Sequence, residues 1–214
     1  MKNIIATVAA ILFCILTSSA QDTVTLVHEA YKTTYSKSFH YPVLVQWWDT
    51  KARVGCKSPL ARKDQFAPDP LLPSETNLAK DYVGSGTDRG HMCPAADNLC
   101  FGAKQQAECF YFSNMAAQYH SLNAGDWKSL ETKTRLIVDN QDSVYVWCGS
   151  IGSAKKIGTT TVPTKCWKVI YVKKTKAYEA YIFDNTTDKP KGIDHWKVQI
   201  ADVEKLTGFK FSMN

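Results

Sequence analysis

An α+β fold with a largely antiparallel sheet is predicted by three features of the 214-residue chain. Its second half holds three consecutive segments of strand-like composition, residues 143–149, 165–172 and 177–184. Helix-like periodicity is confined to separate places, without the βαβ alternation of a parallel sheet. The composition is 44% hydrophobic, 21% charged and 12% aromatic, which excludes a disordered, collagenous or coiled-coil chain. The length suits one domain with its own core.

Residues 1–20 are of a different kind. Lys2 gives a short positive start, residues 4–16 are almost wholly apolar, and Ser18, Ser19 and Ala20 are small. This reads as a secretory signal cut after Ala20, leaving a single domain, 21–214. As a membrane anchor the run falls short of the roughly 20 apolar residues a spanning helix needs. Residues 41–48 are rich in β-branched and aromatic side chains and read as a strand. Residues 56–90 carry Pro68, Pro70, Pro73, Gly84, Gly86 and Gly90, which predicts a long irregular connection. Residues 97–109 read as a short helix capped by Asp97. Residues 125–138 read as a better one, with Trp127, Leu130, Thr134 and Val138 at steps of three and four. A last helix spans 198–206 and is ended by Gly208. Lys173, Lys174 and Lys176 fall at a turn between strands and read as a solvated hairpin end.

Export would leave Cys56, Cys93, Cys100, Cys109, Cys148 and Cys166 in an oxidising compartment, enough for up to three disulfides. Antiparallel pairing of 143–149 with 165–172 predicts a Cys148–Cys166 bridge. A zinc site from His91, Cys93, Cys100 and Cys109 is the rival, although it lacks close cysteine pairs. The net charge of +6 is compatible with polyanionic partners without requiring them. Asn185-Thr186-Thr187 fits a glycosylation sequon.

The densest polar cluster is Ser85-Gly86-Thr87-Asp88-Arg89-Gly90-His91, followed by Asn114, Gln118, Asn123 and Glu131. Asp88-Arg89-Gly90-His91-Met92, then Pro94-Ala95-Ala96-Asp97, resembles the signature of the DNA/RNA non-specific endonucleases. The likeness extends to Asp81-Tyr82, to Phe110-Tyr111 and Ser113-Asn114-Met115, and to Asn123, Gly125, Trp127, Leu130 and Glu131 in one block. It ends with Leu206-Thr207-Gly208-Phe209 and Phe211, so it covers roughly 41–211.

The resemblance implies a ββα-metal nuclease fold, with a largely antiparallel central sheet flanked by helices. It implies hydrolysis of phosphodiester bonds in DNA and RNA, leaving 5′-phosphate ends. On these positions His91 is the general base, a role suited to an imidazole near pKa 6.5 whose other nitrogen a carbonyl or carboxylate holds. Asn123 is the direct protein ligand of one Mg2+, for which Mn2+ or another divalent cation can substitute. Glu131 orients water around that ion, and Arg89 clamps the transition state. Arg62 is a second phosphate-binding arginine, a role Lys63 could take instead. Asp88, Asn114 and Gln118 are supporting residues.

Each role has a plainer competitor. Asn123 could be a helix cap, Arg89 could pair with Asp88 or Asp97, and Asn114 and Gln118 could only satisfy buried backbone groups. Ala117 stands where the family often has proline. DNA and RNA are the implied partners, with no membrane anchor, and the resemblance also admits a homodimer. The competing expectation is a protein of this fold that binds nucleic acid without cleaving it.

Overall fold

The computed structural model describes residues 22–57, 59–141 and 143–213. The expected signal segment lies outside the described residues. In chain order the strands are β1 (Thr23–Val27), β2 (Lys32–Ser36), β3 (Tyr41–Thr50), β4 (Asp88–His91), β5 (Met115–Gln118), β6 (Ser143–Ile151), β7 (Lys155–Ile157), β8 (Thr160–Val162), β9 (Lys165–Val172), β10 (Ala177–Asp184) and β11 (Lys197–Val198). The helices are α1 (Lys51–Val54), α2 (Ala103–Glu108), α3 (Lys128–Gln141) and α4 (Ile200–Thr207).

One seven-stranded sheet, ordered β1-β2-β3-β6-β9-β10-β11, is antiparallel at every pairing. Strands β3, β6 and β9 carry apolar side chains on both faces because both faces are covered. One face sets Val45, Val146 and Ile170 against Trp127, Leu130 and Val138 around α3. The other sets Trp147, Trp167 and Val169 against Val203 of α4 and Phe211. Burying an indole such as Trp127 is worth about 3–5 kcal/mol, judged by the usual cost of truncating one. Hairpin β4–β5 lies outside the main sheet, and with α3 it makes a small ββα unit.

The expected strands are all present, and the predicted helix 198–206 is α4. Gly208 stops it at φ 75°, a left-handed turn that glycine adopts without strain. The predicted helix 97–109 divides in two, a 3-10 turn at Ala95–Asn98 and then α2. Gly102 stands between them, and Asp97 is buried against Arg135 rather than capping. Among the described residues the connection from Cys56 to Thr87 holds neither helix nor strand. It is fastened instead by Leu78 and Tyr82 in a third apolar cluster with Phe112 and Met115. The Asp81 carboxylate adds a clamp by accepting from the backbone N–H groups and hydroxyls of Thr159 and Thr160.

The cysteine expectations are corrected. A Cys56–Cys100 disulfide is formed, and Cys93, Cys109, Cys148 and Cys166 are free and buried. In the β6–β9 ladder Cys148 faces Lys168 and Cys166 faces Ser150. The two thiols are therefore diagonal, roughly 7–8 Å apart at the backbone and beyond bridging distance. Using Cys100 in a disulfide also removes the zinc alternative. Asn185 is buried, and its side chain holds Tyr119 N–H and the carbonyls of Ala117 and Pro163. The lysines after β9 are exposed at a hairpin end.

Candidate active site

Strand β4 brings Asp88, Arg89, Gly90 and His91 against β5, with Asp88 opposite Gln118 and His91 opposite Met115. Gly90 leaves the room that Gln118 uses. A Cβ there would stand 2.0 Å from Gln118 Oε1, so any larger residue would displace the glutamine side chain that crosses the strand. Ala117 lies in β5 opposite Arg89, so the proline it replaces would fall in a strand rather than a loose turn. Asn114 fixes the exit of β4. Its Oδ1 accepts from Cys93 N–H, and its Nδ2 donates to the Cys93 and Cys109 carbonyls, each at 2.9 Å.

His91 is wedged between aromatic rings, 5.0 Å from Phe110 edge-on and 5.6 Å from Phe66. Trp127 Nε1 donates to its carbonyl at 3.0 Å, tying β4 to the segment ahead of α3. Its Nε2 is sealed from solvent without a hydrogen-bond partner. Burial, with the Arg62 charge second, lowers the imidazole pKa to about 3, against Asp64 and the Arg89 backbone. This corrects the expectation of a value near 6.5. The ring is wholly neutral at neutral pH, the form a general base requires.

Asn123 sits inside a π-helical turn, Leu122–Trp127, two residues before the predicted helix start at Gly125. It is therefore not a helix cap. Gly125 departs from helical geometry at φ −97° and ψ −112°, and a Cβ on it would meet Pro190 Cγ at 2.6 Å. Asp126 holds that proline loop by accepting from Lys191 N–H, Gly192 N–H and Trp196 Nε1. The glycine and tryptophan of the motif thus build the turn that presents Asn123. Asn123 Nδ2 donates to Asp88 Oδ2 at 2.8 Å, and the same oxygen pairs with His120 Nδ1. A carboxylate only accepts, so this bond fixes the amide and leaves Oδ1 without a hydrogen bond among the described residues.

A free amide oxygen in a cleft that two carboxylates, Asp88 and Glu131, also line fits a hard divalent cation that keeps most of its waters. Among the described residues no group of three His, Cys, Asp or Glu side chains could hold a metal ion. Glu131 follows two turns later on α3. Burial raises its carboxyl to about 7, and Lys168 is the largest opposing influence.

Arg89 pairs with neither Asp88 nor Asp97. Its guanidinium lies 3.9 Å over the Phe66 ring. Arg62 pairs with exposed Asp64 at 2.6 Å and lies 5.3 Å from the Phe110 ring centre. Both arginines line a cleft of about 570 Å³ with Asp88, His91, Asn123 and Glu131. Lys63 does not line it, and its backbone N–H donates to Gln106 Oε1.

The sequence profile described as DNA/RNA non-specific endonuclease matches residues 13–214. The chain belongs to the DNA/RNA non-specific endonuclease family. It is 36% identical to the mitochondrial nuclease EXOG of Xenopus laevis over 173 residues, 69% of this chain and 47% of that protein. It is 35% identical to the nuclease of Serratia marcescens over 158 residues, 65% of this chain and 58% of that protein. The nuclease of Nostoc sp. is 30% identical over 213 residues, 92% and 76% of the two chains. The chain spans about half the length of the curated EXOG relatives it matches. Among solved structures it is similar to the EndoG/EndoGI complex, with a TM-score of 0.78 at 27% identity over 87% of this chain and 84% of that one. The fold is the ββα-metal nuclease fold, with β4, β5 and α3 as the ββα unit.

Membership in this endonuclease family directs attention to cleft residues that motif reading passed over. Phe66 touches both His91 and Arg89, and Lys128 and Arg135 add positive charge to the cleft. Phe66 had a faint signal in its place beside Arg62-Lys63-Asp64. Lys128 and Arg135 could have been found by following the face of α3 that carries Glu131.

Proposed function

We propose that this chain is a metal-dependent endonuclease that hydrolyses phosphodiester bonds in DNA and RNA. The observation that carries the reading is one cleft in which a neutral, sealed imidazole lines the same wall as an amide oxygen freed by Asp88. With Nε2 sealed, His91 takes a proton from the attacking water at Nδ1. Asn123 Oδ1 would hold a divalent cation, Mg2+ or Mn2+, with Glu131 orienting water around it. Bound there, the cation draws charge from the scissile phosphate and the leaving 3′ oxygen. Asp88 keeps the Asn123 amide turned outward. Arg89 and Arg62 bind phosphate oxygens by leaving their aromatic rings and Asp64 for an anion whose two free oxygens match the guanidinium fork. Attack in line on phosphorus leaves 5′-phosphate and 3′-hydroxyl ends. Contacts to phosphate carry no sequence information, which supports weak base selectivity.

We also propose export with residues 1–20 removed. The Cys56–Cys100 disulfide fits an oxidising compartment.

The test incubates plasmid DNA and structured RNA with oxidised protein 21–214, in magnesium or in EDTA. Degradation of both substrates in magnesium, absent in EDTA and in His91→Ala, is the expected result. Folded wild type that binds DNA but cleaves nothing with any divalent metal would favour the binding-protein reading.

A further inference from the structure

Two of the four free thiols meet. Cys93 and Cys109 bring their sulfurs to 3.9 Å of each other, and both residues are wholly buried. Their backbones approach as well. Asn114 Nδ2 donates to both carbonyls at 2.9 Å, so the two carbonyl oxygens are separated by no more than twice that distance. Close backbones and sulfurs in contact are what a disulfide requires, since it spans roughly 4.4–6.8 Å between Cα atoms.

The surroundings suit a disulfide better than a pair of thiols. Arg53 Nη2 lies 3.4 Å from Cys93 Sγ, and Asn98 Nδ2 lies 2.8 Å from Cys109 Sγ and 3.6 Å from Cys93 Sγ. Both nitrogens have only hydrogens to offer. They are also held in place, because Arg53 Nη2 donates to Asn98 Oδ1 and Asn98 Nδ2 to the Pro94 carbonyl. A thiol pair adds two S–H hydrogens to a place already supplied with donors, whereas a disulfide presents lone pairs alone. The other two cysteines are placed differently. Cys148 donates its S–H to the Met92 carbonyl at 3.4 Å, and Cys166 accepts from Gln118 Nε2 at 3.3 Å.

We propose that Cys93 and Cys109 form a second structural disulfide in the exported protein. The bond closes the loop that carries the 3-10 turn and α2, and Cys56–Cys100 ties that same loop to the connection after α1. It also fastens the exit of β4, two residues beyond His91, to the residue before Phe110, whose ring stands edge-on to that imidazole. In the reaction one cysteine thiolate attacks an external disulfide, and the second thiolate then displaces the external sulfur from the mixed disulfide. The Cys93–Cys109 S–S bond forms, and the external disulfide takes up the two electrons and two protons as two thiols. Both sulfurs are buried in the finished fold, so the exchange precedes closure of the core. The proposal rests on the export reading for its oxidant and owes nothing to the nuclease reading.

The test expresses the full chain for export, recovers it from the medium and counts its thiols after unfolding without reductant. Two per chain are expected, Cys148 and Cys166, where Cys56–Cys100 as the one bridge would leave four. Cleavage after basic residues and before aspartates puts Cys93, Cys100 and Cys109 on separate peptides, 90–96, 97–104 and 105–125, and the first and third should be linked. Cys109→Ala should raise the count from two to three, because Cys93 loses its partner. Four thiols beside an intact Cys56–Cys100 link overturn the proposal, as does a link from Cys93 to any other cysteine. The structural role is read in a chain carrying Cys56→Ser and Cys100→Ser, refolded with glutathione disulfide or with a phosphine reductant. The oxidised form should melt about 6–12 °C higher, the shift that closing a loop of this length brings in a domain of this size. Equal melting temperatures overturn that role. A chain kept in the cell with both bridges open would sink the export reading instead, and refolding it with glutathione disulfide would decide the Cys93–Cys109 bond by the same peptides.

Discussion

The two walls of the cleft are built on opposite principles. The β4–β5–α3 wall is fixed by ladder hydrogen bonds, by Asn114 across the Cys93 and Cys109 carbonyls, and by Trp127 on the His91 carbonyl. The facing wall, from the irregular segment after Cys56, brings Arg62 and Phe66 with exposed charges and ring faces in place of a ladder. On the proposed reading, the first wall carries the groups that must be placed before substrate arrives, His91 and Asn123, and the second carries contacts that substrate would displace. An Arg–aromatic contact is worth about 0.5–1 kcal/mol when exposed, less than a charge-assisted bond to phosphate at about 1.5–3 kcal/mol. Arg89 belongs to the fixed wall by backbone and to the yielding wall by side chain, which rests on Phe66.

If that division holds, changes in the fixed wall should act on turnover and changes in the yielding wall on binding. The largest expected effect is in His91→Ala, which should bind DNA normally and lose about 10⁴-fold in kcat, the upper end for a general base. Asn123→Ala comes next, at about 10³-fold, with a changed magnesium titration because the amide oxygen is gone. A magnesium titration identical to wild type would move the cation elsewhere in the cleft. Arg62→Ala should cost about tenfold, mostly in KM, and make the log–log salt dependence of KM shallower by about one. A kcat loss at unchanged KM would put Arg62 with the fixed wall and break the comparison.

The fixed wall was also the legible one. His91, Arg89, Asn123 and Glu131 stand in a compact motif among glycines that the local packing calls for. Gly90 lets Gln118 cross, and Gly125 lets Pro190 pack. Strands β3, β6, β9 and β10 were legible for the same kind of reason, since apolar runs mark buried ladders. Phe66 was not. It is a lone aromatic in a proline-rich connection, and it meets His91 and Arg89 only through the fold. The Cys148–Cys166 expectation failed on a matter of two residues. Composition marks which segments pair, but the offset between them is set by the rest of the sheet, and a two-residue offset keeps both thiols in the core while parting them. The His91 titration was misjudged because its cause is Phe66 and Phe110, brought from either side by the fold.

That burial has a measurable consequence in the protein without metal or substrate. The folded His91 pKa of about 3 lies below the unfolded value near 6.5, so between those values the unfolded chain binds the extra proton. Stability from this group is therefore fully present above about pH 6.5 and is lost as pH falls toward 3. His91→Gln removes the proton-binding site from both states and should flatten this part of the pH dependence. The fall in melting temperature between pH 7 and pH 5 should be smaller in the variant by about 4–8 °C, the shift that roughly 2 kcal/mol of proton linkage brings in a domain of this size. Parallel wild-type and variant curves would mean that the ring can reach water before substrate binds. The seal formed by Phe66 and Phe110 would then open readily, and the wall that carries His91 would be less fixed than its hydrogen bonds imply.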